Sequence, residues 1–395
     1  MYVDLFAGCG GLSFGLYNAG WQGLFAVEKN VDAFATLKYN LIDQRHHFVW
    51  PQWLEMTNID INELLLNHKE QLVELRNQVD LVVGGPPCQG FSMAGKRKGN
   101  DIRNRLYNTY IEFVKLVQPR MLFFENVHGF TVGFERKYKG QKRKGKPYSE
   151  KLVKKLKSLG YDVAYKEILM SDYGVPQNRK RFILFAIKGG KAELFFEKLD
   201  ANKATFLKHR GLIAPICVND AIGDLQRKYG EVQSPDTPRF NNGVYGPINS
   251  AYQKYMRHNI TGIDIPNSHR FAQSKPKTVE VFERLMVASN QAIRITPKME
   301  MVEGLKKRGV TPLKGNCICP TVTSIPDDFV HYSEPRILTV RECARLQSFS
   351  DDYVFQGKYT TGGARRKIEV PRYTQVANAV PPLFAEQVGI VLRGM

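Results

Sequence analysis

Apolar and polar positions alternate in blocks along the first half of the chain. A short apolar run, MYVDLFAG, reads as a strand that breaks at Gly8. LSFGLYNAG then sets Leu12, Leu16 and Ala19 at helical spacing and ends at Gly20, the residue type that most easily takes the left-handed turn closing a helix. GLFAVE predicts a second strand and VDAFATLKYNL a second helix. The pattern continues with a helix over 62–76, a strand over 79–84, a helix over 105–117 closed by Pro119, and a strand in RMLFFENV. A helix over 149–158 and strands near 162–168 and 182–187 follow. Strands alternating with helices of this length predict a parallel α/β sheet with helices on both faces.

After about residue 190 the rhythm changes. Prolines and glycines are frequent from 215 to 270, interleaved with Arg239, Tyr245, Tyr252, Arg257, His269 and Arg270, and one amphipathic helix fits 277–291. Beyond 335, PRILTVRECARLQSF returns to helical periodicity, with Thr339 as N-cap and Glu342 three residues on to complete a capping box. The expected division is a first domain over 1–190, a smaller irregular one over 191–330, and a return segment over 331–395 completing the first.

Composition narrows the function. No run of 18 apolar residues occurs and the N-terminus lacks a basic, then apolar, leader, so neither a membrane span nor export is expected and the chain reads as cytoplasmic. Six cysteines in 395 residues suit a reducing compartment. Cys317 and Cys319 form a Cys-x-Cys pair with no second pair at ligand spacing, and no metal is expected. Charge says most: 57 Lys+Arg against 38 Asp+Glu leaves +19, which points to a polyanionic partner, nucleic acid by default. Arg136, Lys137, Lys139, Lys142, Arg143, Lys144 and Lys146 crowd together with no acid among them, reading as a solvated loop able to follow phosphates.

Chemistry gathers at predicted strand ends. DLFAGCGGLSFGL puts a glycine-rich turn between strand and helix, where backbone N–H groups are free to meet a ligand. Such turns serve nucleotides, flavins and adenosylmethionine alike, though no Walker A lysine follows, which disfavours a triphosphate. Glu28 ends the second strand, where a carboxylate can accept from ribose hydroxyls. Cys88 stands on a Pro-Pro turn, VDLVVGGPPCQGFS, at the end of another strand. That is a better place for a positioned nucleophile than for an inert core thiol. Glu125 ends the next strand, and Gln177, Arg179 and Arg181 alternate on the way into another, which directs them to one face.

In this order, Gly-Pro-Pro-Cys-Gln-Gly-Phe-Ser (85–92), Glu-Asn-Val (125–127), Gln-Asn-Arg-Lys-Arg (177–181), the stretch 336–349 and Gln-Val-Ala-Asn-Ala-Val-Pro-Pro (375–382) resemble the motifs of the DNA (cytosine-5)-methyltransferases, from residue 3 to about 390. The resemblance implies a Rossmann-like methyltransferase sheet, with 1–190 catalytic and cofactor-binding and 191–330 a target-recognition domain. It implies S-adenosyl-L-methionine as cofactor, with Phe6 stacked on adenine, Gly8, Gly10 and Pro86 lining the pocket, and Glu28 on the ribose. Asp60 and Leu106 would frame the adenine, and Asn378 and Val380, beside Gln375, would close the pocket. Cys88 would add to cytosine C6, Glu125 would hold N3 and the exocyclic amine, and Arg181 would meet O2 with Arg179 in support. Ser92, Lys96, Arg97 and Arg103 fall in a loop expected to close on DNA, and Thr321 and Thr323 are candidate base readers. Two departures stand out: Asp60 lacks the usual preceding glycine, and Ala377 stands where the family often has one.

The chemistry fits these parts. Cytosine C5 is a poor nucleophile until a thiolate adds at C6. The displaced electrons then need a proton or hydrogen bond at N3, and a stacked base must be flipped out to be reached. The implied partner is double-stranded DNA, with a monomeric enzyme and, where one exists, a cognate restriction endonuclease acting separately. One branch of the family methylates tRNA, but its Cys-Phe-Thr tripeptide is absent here.

Overall fold

The computed structural model describes residues 1–87, 106–133, 145–261, 265–288, 292–303, 305, 309–362, 365 and 368–395, and the backbone of 135–138 and 141–144. The chain packs as two compact units: Met1–Leu169, Lys180–Lys203 and Ala385–Met395 make the first, and Met170–Arg179 with Ala204–Phe384 the second. These packing limits are drawn at other points than the expected functional boundaries at 190 and 330.

The first unit follows the predicted alternation closely. β1 (Tyr2–Leu5), α1 (Gly11–Asn18), β2 (Gly23–Val27) and α2 (Val31–Leu37) come first. Next are α3 (Ile61–Asn67), α4 (Lys69–Glu74), β3 (Leu81–Gly84), α5 (Leu106–Val117) and β4 (Met121–Val127). The stretch 62–76, expected as one helix, is two, with His68 ending one and opening the other. Gly20 does close α1: at φ 77° its N–H donates to the Tyr17 carbonyl and that of Trp21 to Leu16, which satisfies the helix's last acceptors. Then come a short hairpin, β5 (Glu135–Tyr138) and β6 (Gln141–Lys144), followed by α6 (Tyr148–Ser158) and β7 (Asp162–Leu169). β8 (Gln177–Asn178), in the second unit, precedes β9 (Lys180–Ile187) and α7 (Glu193–His209).

Six strands form one sheet in the order β2-β1-β3-β4-β9-β7. The expectation of an all-parallel sheet is corrected here: β9 runs antiparallel to both β4 and β7. The reason is local, because β7 and β9 are joined by a short excursion, too little chain for a parallel crossover. Burial holds the sheet. Val3, Leu5, Phe25, Val82, Leu122, Phe124, Phe182 and Leu184 pack in one apolar cluster with the helices. β1 lies between β2 and β3, so the chain reverses its direction of travel across the sheet beside β1. The carboxyl ends there open a crevice, the usual ligand site of such sheets.

In the second unit α8 (Val218–Ile222), β10 (Glu231–Gln233), β11 (Asn241–Gly243), α9 (Ala251–Met256) and α10 (Pro276–Ala288) are short pieces among turns, with α10 close to the helix expected at 277–291. β12 (Thr311–Pro312) pairs with β14 (Phe329–Val330), and β13 (Cys319–Pro320) with β8. α11 (Val340–Leu346) has the expected capping box: Thr339 accepts from the Glu342 N–H while Glu342 accepts from the Thr339 N–H. α12 (Arg372–Asn378) follows in this unit, and α13 (Pro382–Arg393), most of it in the first unit, closes the chain.

Candidate active site

The crevice is built from four strand ends. After β1, Phe6 takes a positive φ of 61°, a costly conformation for a bulky residue that marks a constrained turn. The turn continues through Gly8 at φ 57°, whose Cβ position has no described atom within 4 Å, and Gly10, which starts α1 with no side-chain cap. This leaves room and backbone donors facing the crevice.

Glu28, just past β2, organises the next layer. Its carboxylate accepts the Gly8 N–H at 2.9 Å and the Asn30 N–H at 2.7 Å, and the Glu28 carbonyl accepts the Ile59 N–H at 2.9 Å. Burial pushes its carboxyl above the usual range, against the pull of those N–H donors. Asp60 caps α3 by accepting from Asn62, and pairs with Lys29 at 2.8 Å. Leu106 and Phe6 pack against the same apolar cluster, and Thr109 on α5 donates to Asn62 on α3 at 3.3 Å. Phe6, Gly8, Glu28, Asp60 and the start of α5 are therefore brought to one rim. The donor set fits a nucleoside: a half-buried carboxylate for ribose hydroxyls, a glycine turn with space above it, and an apolar wall.

After β3 the chain passes between its neighbours with no clearance. A Cβ on Gly84, at φ 115°, would overlap the Leu5 carbonyl oxygen, and one on Gly85 the Glu125 carbonyl oxygen. Pro86 then accepts from the Asn126 side chain at 3.1 Å. This clamp was not foreseen, though the Asn of Glu-Asn-Val was its visible signal. Cys88 follows two residues later, outside the described residues, as do Ser92, Lys96, Arg97 and Arg103.

Glu125 and Arg181 meet: Arg181 Nε lies 2.9 Å from Glu125 Oε1, with side chains 12% and 16% exposed. Strand direction causes this. Arg181 opposes Val127 in the β4–β9 register, so it is the diagonal neighbour of Glu125 on the same face. An antiparallel β9 brings its own beginning to the carboxyl end of β4, where a parallel strand would bring its end.

Other expected residues have other partners. Gln177 donates to the Leu346 carbonyl at 2.8 Å and to Gln347, and accepts the Val322 N–H at 3.0 Å. Arg179, 1% exposed, donates to the Ala379 carbonyl at 3.1 Å. The one-face expectation for Gln177, Arg179 and Arg181 is thus corrected: the first two brace the second unit, and Arg181 alone pairs with Glu125. Asn378 ends α12 exposed, and Val380 is half-buried beyond it. The Thr321 hydroxyl donates to the Asn178 carbonyl at 2.7 Å and that of Thr323 to Asp328 at 2.8 Å. Cys319 is buried on β13, and burial pushes its thiol well up.

Comparison with known proteins bears on this geometry. The family model for C-5 cytosine-specific DNA methylase matches residues 1–392. The type II methyltransferase M.DdeI of Desulfomicrobium norvegicum is 31% identical over 97% of this chain and 86% of its own. M1.HphI of Haemophilus parahaemolyticus is 30% identical over 98% and 85%. Among solved structures, a prophage-encoded E. coli protein taken to be a DNA modification methyltransferase superposes with TM-score 0.64 at 24% identity, covering 100% of this chain and 98% of its own. The Dnmt2 methyltransferase of S. pombe gives 0.55 at 14%, with the same coverage. A methyltransferase sheet, a carboxylate–guanidinium pair at its carboxyl edge and a family match over nearly the whole length agree, and the chain belongs to the C-5 cytosine-specific DNA methylases, the DNA (cytosine-5-)-methyltransferases.

Proposed function

We propose that the protein transfers a methyl group from S-adenosyl-L-methionine to C5 of a cytosine flipped out of a specific duplex sequence, through a covalent bond between Cys88 and C6. The observation that carries this reading is the Glu125–Arg181 pair, held at 2.9 Å on adjacent strands at the edge of the crevice. Among the described residues Arg181 has Nε on Glu125 and Nη1 on the Lys180 carbonyl, so its second terminal nitrogen is left for a ligand, as is Glu125 Oε2.

In this reading the Cys88 thiolate forms the S–C6 bond, and the C5=C6 π pair becomes available at C5. Glu125 holds N3 and the exocyclic amine as charge moves into the ring, and Arg181 fixes O2. The bound sulfonium supplies an activated methyl group. Attack by C5 would break the sulfonium's S–CH3 bond and leave a neutral thioether, a water-derived base would take the C5 proton, and the C5–H pair would re-form C5=C6 and expel the thiolate. Glu28 would hold the ribose, with Phe6 and Leu106 against the adenine and Asp60 at its edge. Asn378 and Val380 enter through the family resemblance alone. The type II relatives support a modification methylase, paired with a restriction endonuclease where one exists.

Duplex DNA with 5-fluorocytosine at the target tests the covalent step, because fluorine at C5 cannot leave as a cation. A denaturant-resistant adduct that requires S-adenosylmethionine, with mass spectrometry placing the bond on Cys88, is expected. An adduct on another cysteine, or undiminished methylation by Cys88→Ala, would sink the mechanism. Transfer to tRNA and not to duplex DNA would overturn the substrate.

A further inference from the structure

The basic run after Glu-Asn-Val, expected as a loop, is a built hairpin. β5 and β6 pair antiparallel in the register Glu135↔Lys144, Arg136↔Arg143, Lys137↔Lys142, Tyr138↔Gln141. Its stem is pinched shut: a Cβ on Gly133 would overlap the Gly145 carbonyl oxygen, so the two strands leave the body of the unit in backbone contact. At the stem the paired positions carry opposite charge. Above it, two successive pairs set cation against cation.

That register disfavours the hairpin on its own. Like charges directly opposite destabilise a strand pair, and an isolated two-stranded hairpin is marginal even without them. Residues alternate between faces along a strand, so 136 and 143 share one face and 137 and 142 the other. All four of these positions are lysine or arginine, so the register sets cations on both faces and no apolar residue among them. A closed stem with cations opposed above it suits an element that lies along a polyanion. The hairpin leaves β4 beyond its carboxyl end, the end that carries Glu125, within one unit. A duplex whose target base sits at Glu125 would have its flanking backbone nearby.

We propose that β5 and β6 form a cationic ribbon that binds the sugar–phosphate backbone of duplex DNA beside the target base, positioning the duplex without reading its sequence. This rests on the reading that the chain acts on duplex DNA. Phosphate contacts set register and orientation and carry the salt dependence of binding, while base contacts specify.

The test compares Arg136→Gln/Lys137→Gln/Lys142→Gln/Arg143→Gln with wild type, measuring duplex affinity across salt concentrations. Removing a phosphate contact flattens the log–log slope by about 0.9, so a slope shallower by roughly 2 to 4 is expected. The loss should be equal on duplexes with and without the target sequence. The variant Arg136→Lys/Arg143→Lys should keep the wild-type slope. So should Arg120→Gln/Lys188→Gln, which removes charge at the other end of β4 and β9, about 20 Å of strand away and beyond the screening length. An unchanged slope in the fourfold variant, or a loss confined to target-containing duplex, would overturn the ribbon. Wild-type methyl transfer to duplex DNA is measured first. Its absence would overturn the underlying reading and the ribbon with it, whereas transfer with an unchanged slope would overturn the ribbon alone.

Discussion

Arg345, on α11, is fully buried, and each of its five N–H donors meets an acceptor. Nε and Nη2 grip Asp351 at 2.6 Å, Nη1 and Nη2 reach Asp224 at 3.0 and 3.1 Å, and Nη1 also meets the Ala221 carbonyl at 2.9 Å. Arg181 also faces a carboxylate, but it is partly open and has a terminal nitrogen with no partner among the described residues. The first arrangement is closed. Its charges are satisfied by the protein, so it can only hold α11 to its neighbours. The second keeps unused donors and acceptors at the mouth of a crevice, which is what a site needs before its ligand arrives. Completeness of partners separates scaffold from chemistry better than burial or charge does.

Breaking the closed knot should give the largest effect. Arg345→Met strips two buried carboxylates of their nearest guanidinium and leaves only the longer contacts, Arg257 at 3.3 Å from Asp224 and Arg341 at 3.8 Å from Asp351, a loss of about 3 kcal/mol. Hydrogen exchange of the α11 amides should show that loss. Protection unchanged from wild type would mean that the knot relaxes into water and is not what holds the helix.

Acid should separate the two units, because in the second the buried histidines and Glu342 are shifted one way while in the first Asp4 and His47 are shifted opposite ways. In the second, burial lowers His269 to about 4 and, with Arg336 nearby, His331 to about 3. Burial would raise Glu342, but the Arg336 guanidinium overrides it and brings the carboxyl to about 2. All three folded values lie below the unfolded ones. The histidines' contribution is therefore present above pH 6.5 and is lost as pH falls toward 4 and 3. That of Glu342 goes last, through about 2. In the first unit, burial raises Asp4 to about 7, so its contribution is present below about 4 and lost as pH rises through 7. Burial lowers His47 to about 4, so that its loss on acidification is offset by the gain at Asp4. For His269 alone the swing is on the order of 3 kcal/mol. Trp21, Trp50 and Trp53 all lie in the first unit and report it by fluorescence. Between pH 7 and 4 the α11 amides should lose protection while tryptophan emission holds. A loss of both together would show that the units do not titrate apart.

Much of this was legible from residue order. β1, its glycine turn, α1 with its Gly20 stop, and the Thr339–Glu342 box stand where periodicity and capping chemistry put them, because these are local effects. Strand direction is not local. Nothing in KRFILFAI says that β9 runs antiparallel, and nothing in QNRKR marks the break at Arg179 between β8, which pairs with β13, and β9. The alternation of Gln177, Arg179 and Arg181 therefore predicted one shared set of partners where the structure has two. The basic hairpin was unreadable for a different reason. Its strands have no apolar alternation, and lysine is depleted in strands, so the only cues were glycines, Gly133 and Gly145 at the feet and Gly140 in the sequence between the strands. The stretch 336–349, first noticed as a family motif, is mostly scaffold here. Its Arg336, Arg341 and Arg345 are buried in hydrogen bonds to the protein itself.

The open pair should respond in activity and hardly at all in stability. Glu125→Gln keeps the shape and can still accept at the 2.9 Å contact, but it cannot deliver a proton to N3. Methyl transfer at saturating DNA should fall at least about a hundredfold, with the urea midpoint corresponding to a change below about 1 kcal/mol. A variant that loses stability and activity in step would place Glu125 with the scaffold.

Lys29 and Asp60 give the smallest effect and the finest test of the comparison. Their contact is 2.8 Å, but the lysine is 79% exposed, so solvent screens the pair and Lys29→Gln should cost no more than about 0.5 kcal/mol. Asp60 does more than pair. Its Oδ1 accepts from the Asn62 N–H at 2.8 Å and the Asn62 side chain at 2.7 Å, capping α3. Burial pushes the Asp60 carboxyl up, yet the hydrogen bonds from Lys29 and Asn62 hold it below the usual range. Asp60→Ala removes the cap and should cost about 1 kcal/mol, read from urea unfolding followed by tryptophan emission. If Asp60 also frames the adenine, titration calorimetry with S-adenosylmethionine should show weaker binding for Asp60→Ala and wild-type binding for Lys29→Gln. Equal affinities for the two variants would return Asp60 to the role of a helix cap.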